Sequence, residues 1–184
     1  MSDKGFEHYV KYLQGDEDAL EGLVRCYSDA LVRFVYCFVQ DAAAAEDIME
    51  DTIVALIVKK KRLDNGDKLH GYLYKIARNR AIDHLRRRNR TVPLEDVEKV
   101  LTDGDLEAEQ FRRARDRAVY ICMQTLPEQY KEVLHLTYFE GFSLPETGRI
   151  MRKSMKQIYN LHARAKVALK QLLIKEGIGH EDLQ

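Results

Sequence analysis

The chain has 184 residues, 30 basic against 30 acidic side chains, no formal net charge and 45% hydrophobic residues. That length holds one ordinary domain or two small ones, and the apolar share supports a packed core and excludes a largely disordered chain. Ten glycines and three prolines are too few for a many-turned β-sandwich and suit a helical protein.

The first expected helix covers about residues 3–14, with Ser2 or Asp3 as N-cap and Gly15 after its end. From 16 to 40, Leu20, Leu23, Val24, Tyr27, Leu31, Phe34, Val35 and Phe38 recur at spacings of three and four, the stripe of one helix or a helix pair. Asp41 is placed to cap the next helix, whose stripe is Ala45, Ile48, Met49, Thr52, Ile53, Leu56 and Ile57. Lys59, Lys60, Lys61 and Arg62 end it with the charge sign a helix C-terminus favours. Leu63 to Asp67 reads as a turn centred on Asn65-Gly66. A helix over about 68–89 follows. Leu69, Tyr72, Leu73, Ile76, Ala77, Ala81 and Leu85 face inward on it, and Lys75, Arg78, Asn79, Asp83 and Arg86 face outward.

Periodicity is lost over 91–110, which opens on Thr91-Val92-Pro93-Leu94 and reads as an acidic linker. Helix is expected again over about 106–125. Pro127 suits the first position of another helix, carrying Tyr130, Val133, Leu134, Thr137 and Tyr138 inward. Ser143 with Glu146 forms a capping-box pair, and Pro145 falls in the first turn that follows. After Arg152-Lys153, Ser154 can cap a last helix with Ile158, Leu161, Ala165, Leu169 and Leu172 inward. Two short helices so joined form a helix-turn-helix, whose second helix enters a DNA major groove. The expected fold is therefore all-α: two helical domains, 1–90 and 111–184, joined by the linker 91–110, with a C-terminal helix-turn-helix.

Zero net charge conceals alternating blocks. Residues 1–58 hold 12 acids and 4 bases, and 59–90 hold 3 acids and 12 bases. Residues 91–110 hold 7 acids and 1 base, and 111–184 hold 8 acids and 13 bases. Two basic blocks suit a polyanion, and the acidic first block suits a different, protein partner. Residues 152–170 contain six bases and no acid. Arg152, Lys153, Lys156 and Arg164 are the candidate phosphate-holding residues there. Ser154, Gln157, Tyr159 and Asn160 are the candidates to read base edges or hold phosphates.

No apolar run approaches the roughly 20 residues of a membrane span, and Met1 to Gly5 lack the basic and apolar regions of a signal peptide. A cytoplasmic protein without membrane insertion is expected. Cys26, Cys37 and Cys122 form no CxxC pair, and no two histidines stand at i,i+4, so neither a metal nor another cofactor is expected. Asp47 and Asp51 make one carboxylate pair without the second cluster of a helical di-metal enzyme, so no catalytic residues are assigned.

Two blocks resemble bacterial RNA polymerase sigma factors of the extracytoplasmic-function group, over roughly residues 6–175. The first is Ala45-Glu46-Asp47-Ile48 followed by LHGYLYKIARNRAIDHLRRRNR from Leu69 to Arg90, which resembles the second conserved region. The other, Leu126-Pro127 to Leu172, resembles the fourth and includes Glu140-Gly141-Phe142-Ser143 and Arg164-Ala165. The resemblance implies a transcription initiation factor, with no catalysis of its own, that binds core RNA polymerase and directs it to promoters.

It further implies that the first domain recognises and melts the -10 element and that the helix-turn-helix reads the -35 element. The helix holding Glu46, Asp47, Glu50 and Asp51 would dock on the polymerase clamp. Asn65, Tyr72, Tyr74, Lys75, Arg78, Asn79, Arg80 and Arg86 would meet the -10 strands, while Tyr72 reads equally as core. The linker reads either as a nucleic-acid mimic in the polymerase channel or as a solvated spacer. An anti-sigma factor is a further partner that the resemblance admits. The chain departs from the family in lacking Trp, with Tyr72 in the usual place of one. It also carries Arg152 near the usual turn Gly, and Gly148 for the usual Ala. The alternative is a stand-alone helix-turn-helix regulator that binds duplex DNA without polymerase.

Overall fold

The computed structural model describes residues 3–91, 119 and 121–175. Helices α1 (Asp3–Leu13), α2 (Ala19–Val39), α3 (Ala42–Lys59) and α4 (Gly66–Thr91) build the first block. Helices α5 (Glu128–Leu134), α6 (Leu144–Met151) and α7 (Met155–Lys175) build the second. The fold is all-α, and no strand occurs among the described residues.

Local chemistry sets the ends of these helices. Asp41 Oδ1 accepts the Ala44 N–H at 3.0 Å, which satisfies one of the donors a helix start leaves unpaired. Lys60 closes α3 in the left-handed region at φ 41°. Asn65 Oδ1 accepts the Lys68 N–H at 3.0 Å, so the Asn-Gly pair serves as the cap of α4. That helix starts at Gly66, two residues earlier than periodicity alone places it. Pro127 sits one position outside α5, as its N-cap.

In the first block α2 lies centrally, packed on α1, α3 and α4. Leu23, Leu31, Phe34, Ala45, Ile53, Leu56, Leu69, Leu73 and Ala77 fill the core, as the stripes predict. Close packing of α1 on α2 depends on Gly5, where a Cβ would stand 2.5 Å from the Tyr27 ring.

The second block departs from simple α periodicity. Residues His135–Phe139 form a π-helix directly after α5. A π turn inserts one extra residue and rotates the following side chains relative to an α-helix. His135 and Leu136 consequently turn inward, and Tyr138, expected inside, is 57% exposed. The α6–α7 pair packs as expected through Gly148, Met151, Ile158 and Ala165. Near the end of α7 the buried residues are Leu169 and Leu173, with Leu172 half-buried.

The two blocks share one continuous core. Helix α2 packs on α5, and α4 packs on α6. Apart from Thr91, which ends α4, the linker 91–110 lies outside the described residues, as does most of the helix expected at 106–125.

Candidate nucleic-acid interface

Helix α7 presents its N-terminal half to solvent. Ser154 caps it: Oγ accepts the Gln157 N–H at 3.3 Å, and Gln157 Oε1 accepts the Ser154 N–H at 2.8 Å. This reciprocal box fixes the start of the helix and engages the side chain of Gln157. Ile158 and Ala165 anchor one face in the core. Lys156, Tyr159, Asn160 and Arg164 are exposed on the others, and Lys153 is half-buried. The angle between α6 and α7 is set by a turn in which Arg152 adopts φ 55° and its N–H bonds to Gly148 O. Upstream, Glu146 accepts the Ser143 N–H at 2.9 Å, the expected capping box. A Cβ on Gly148 would lie 3.2 Å from Lys153 O, so the turn is wound tightly over this residue. The result is a rigid helix with a basic, hydrogen-bonding outer face, the form that enters a major groove.

The basic helix α4 divides its candidates. Lys75 and Arg86 are exposed, Asn79 is half-buried, and Asn65 lies exposed at the helix start. Tyr72 is half-buried, and Lys61 Nζ stands 4.6 Å from its ring centroid. Tyr9 holds this strand of chain by donating its hydroxyl to Lys61 O at 2.8 Å. An aromatic face with a cation over it at the rim of a basic helix suits an unstacked base beside phosphate. Lys61 was not among the sequence candidates; it stands eleven residues before Tyr72, and the two meet only once the α3–α4 connection is folded.

Two candidates lie elsewhere. Tyr74 is fully buried and donates its hydroxyl to Glu140. Arg78 is bound through Nε and Nη2 to Glu132, the latter at 3.4 Å, with its side chain 13% exposed. In this arrangement neither is available to nucleic acid, which corrects the outward face expected for Arg78 and the strand contact expected for Tyr74. The reason is that α4 is covered by a second block that the helix period does not report.

On α3, Glu46, Asp47, Glu50 and Asp51 are all exposed. Val54 and Val58, 52% and 75% exposed, extend the same surface. Acids beside unburied valines suit a protein rather than DNA. Asp51 accepts from Arg80 Nη1 at 2.5 Å, tying this surface to α4 beside a shallow cleft lined by Asp47 and His84.

The described residues also hold a buried polar cluster that sequence reasoning missed. His135 Nδ1 lies 3.3 Å from Cys37 Sγ, and its Nε2 lies 3.1 Å from Glu140 Oε1. His70 Nε2 is 3.7 Å from the other Glu140 oxygen. Burial opposes charge on Glu140, but hydrogen bonds with His135 and Tyr74, and the His70 ring close by, outweigh it and hold its carboxyl down at about 2. Burial likewise opposes charge on His135, but Cys37 and Glu140 lift its ring to about 9. Burial raises Glu132, an effect Arg78 offsets only in part.

Comparison with known proteins agrees with this layout. Residues 23–91 match the model of Sigma-70 region 2, and residues 116–169 match that of Sigma-70, region 4. The chain is 25% identical to the ECF RNA polymerase sigma factor SigW of Bacillus subtilis, covering 87% of this chain and 91% of the relative. It is 27% identical to the RNA polymerase sigma-H factor of Pseudomonas aeruginosa, over 87% and 89% of the two chains. Among solved structures, CnrH in complex with the cytosolic domain of CnrY superposes with TM-score 0.64 at 22% identity, covering 95% of this chain and 99% of the other. The sigma factor RpoE in complex with the anti-sigma factor NepR, from Bartonella quintana, superposes with TM-score 0.67 at 23% identity, over 82% and 93%.

Proposed function

The chain belongs to the sigma-70 family of RNA polymerase sigma factors, in its extracytoplasmic-function group, and from that premise we propose how its surfaces divide the work of initiation. It is an alternative-sigma initiation factor that binds core RNA polymerase and directs it to promoters through -10 and -35 elements. The observation that carries this is the pairing, in order on one chain, of the region 2 and region 4 matches.

In our reading the region 2 domain occupies 1–90, the linker 91–110 and the region 4 domain 111–184. The exposed acids Glu46, Asp47, Glu50 and Asp51, with Val54 and Val58, dock α3 on the polymerase. Tyr72, with Lys61 above it, stacks a base of the opened -10 strand, while Lys75, Asn79, Arg80 and Arg86 hold its backbone and Asn65 lies at the edge of that site. Tyr74 and Arg78 join this set only when α4 is uncovered. Helix α7 lies in the -35 major groove: Arg152, Lys153, Lys156 and Arg164 hold phosphates, and Ser154, Gln157, Tyr159 and Asn160 lie at the groove. The chain supplies recognition and melting, and phosphodiester chemistry stays with the polymerase. Work beside polymerase places it in the cytoplasm, and among the described residues no helix is long and apolar enough to cross a membrane. The anti-sigma factor held by the RpoE neighbour supports such a protein as a further partner here.

Run-off transcription with purified core polymerase, with and without this protein, on promoter fragments from its own genome tests the reading. New specific transcripts are expected. Duplex binding without polymerase, and no new transcript, would favour a stand-alone regulator.

A further inference from the structure

On α7, Gln157, Asn160 and Arg164 stand at i, i+3 and i+7, and all three are exposed. That spacing makes them one polar stripe, beside the face that Ile158 and Ala165 bury. Gln157 heads the stripe, in the first turn, at the end of a recognition helix that meets base edges.

The amide of Gln157 is already oriented. A backbone N–H can only donate, so the Ser154 N–H, 2.8 Å away, faces the amide oxygen Oε1. The amino group Nε2 is thereby turned away from the cap. Ser154 Oγ accepts the Gln157 N–H at 3.3 Å, so the backbone and the side chain of this residue are both tied to the helix start. A side chain held in one rotamer loses less freedom on binding. Its repertoire is also narrower. An unengaged glutamine pairs with adenine by accepting from N6 and donating to N7. With Oε1 committed to the cap, the amide offers the groove its two N–H donors. The four bases differ in what they return. Guanine presents two acceptors, O6 and N7, and thymine presents O4. Adenine presents N7 beside its own N6 donor, and cytosine presents only the N4 donor.

We propose that Gln157 is a specificity-determining residue of -35 readout: a capped amide that only donates, selects a base with major-groove acceptors, guanine first, and rejects cytosine at one position of the element. This rests on the sigma-factor reading. The box that starts α7 thus also sets which half of the amide the DNA meets.

Selection by holoenzyme, assembled with this protein, from promoter fragments randomised through the -35 element tests the proposal. Wild type should enrich guanine over cytosine roughly tenfold at one position. Gln157→Glu keeps one carboxylate oxygen for the Ser154 N–H and places an acceptor where Nε2 stood. Its melting temperature should equal or exceed that of wild type, because glutamate serves the same box and suits a helix start. Its preference at that position should turn to cytosine, whose N4 donates, even as affinity falls from repulsion between carboxylate and phosphate. Gln157→Ala should lower the melting temperature and flatten the preference at that position alone. Weaker binding by Gln157→Glu with the wild-type ranking of bases would make Gln157 a phosphate contact or a cap alone, and would refute the proposal. Wild-type enrichment of adenine at the position that Gln157→Ala flattens would refute it too, since that pairing uses the amide oxygen. So would a transcribing wild-type holoenzyme with no base preference in the element. Absence of any promoter-directed transcript from the wild type would instead overturn the sigma-factor reading.

Discussion

His135 should titrate far above a free imidazole, and the pH dependence of the fold should follow it. Its two ring nitrogens face Cys37 Sγ at 3.3 Å and Glu140 Oε1 at 3.1 Å, so the doubly protonated ring satisfies both neighbours. Tyr74 and His70 on α4 complete the surroundings through their contacts with Glu140. The folded value of about 9 lies above the ordinary 6.5, so the stabilisation is complete below pH 6.5 and is lost as pH rises through 9. That interval corresponds to about 3 kcal/mol, a sizeable part of the 5–15 kcal/mol that holds a typical domain. Glu140 acts at the other end. Its folded value of about 2 lies below the ordinary 4.5, so its contribution is complete above pH 4.5 and fades as pH falls towards 2. Stability should therefore be greatest between about pH 4.5 and 6.5 and decline into the alkaline range. Ring resonances of His135 followed by NMR from pH 5 to 10 give the midpoint directly. Urea unfolding at pH 6.5 and 9.5, for wild type and His135→Gln, gives the energy. A ring midpoint near 6.5, or an equal loss between the two pH values in both proteins, would refute the reasoning.

Arg152 sits at φ 55°, where a side chain costs about 1 kcal/mol and glycine nothing, so Arg152→Gly should raise the melting temperature while weakening -35 duplex binding. A fall in melting temperature would show that the guanidinium stabilises the turn. Gly5→Ala should cost about 1–3 kcal/mol by urea unfolding, because its Cβ meets the ring of buried Tyr27 at 2.5 Å. Gly22→Ala should cost less, since its close neighbour is the ring of half-buried His8, which can swing away; equal losses would contradict that distinction. Lys156→Ala should lower the salt slope of -35 binding by about one and leave sequence preference unchanged, as fluorescence anisotropy across salt would reveal. Asp47→Lys should weaken capture of core polymerase in a pull-down, and full capture would remove α3 from the docking surface.

Much of the architecture is written in short-range patterns. The stripe from Ala45 to Leu56, the Asp41 cap, the Ser143–Glu146 box and the cap at Ser154 all depend on residues within a few positions of one another. Hydrophobic period and capping chemistry reveal them without any tertiary information. The alternation of charge similarly sets the acidic face of α3 apart from the basic face of α7, and the motifs around Ala77-Arg78-Asn79 and Gly141-Phe142-Ser143 carry the family resemblance. Tertiary structure decided what long-range packing alone can decide. The π turn at His135–Phe139 shifts the phase of its helix, putting Tyr138 outside and His135 within. Tyr74 meets Glu140 across 66 residues of chain, and Cys37 meets His135 across 98. A helix period states which residues share a face, but it does not say whether water, DNA or another part of the chain covers that face. On α4 the residues seen as one basic surface are divided by the second block into those that remain open and those it holds.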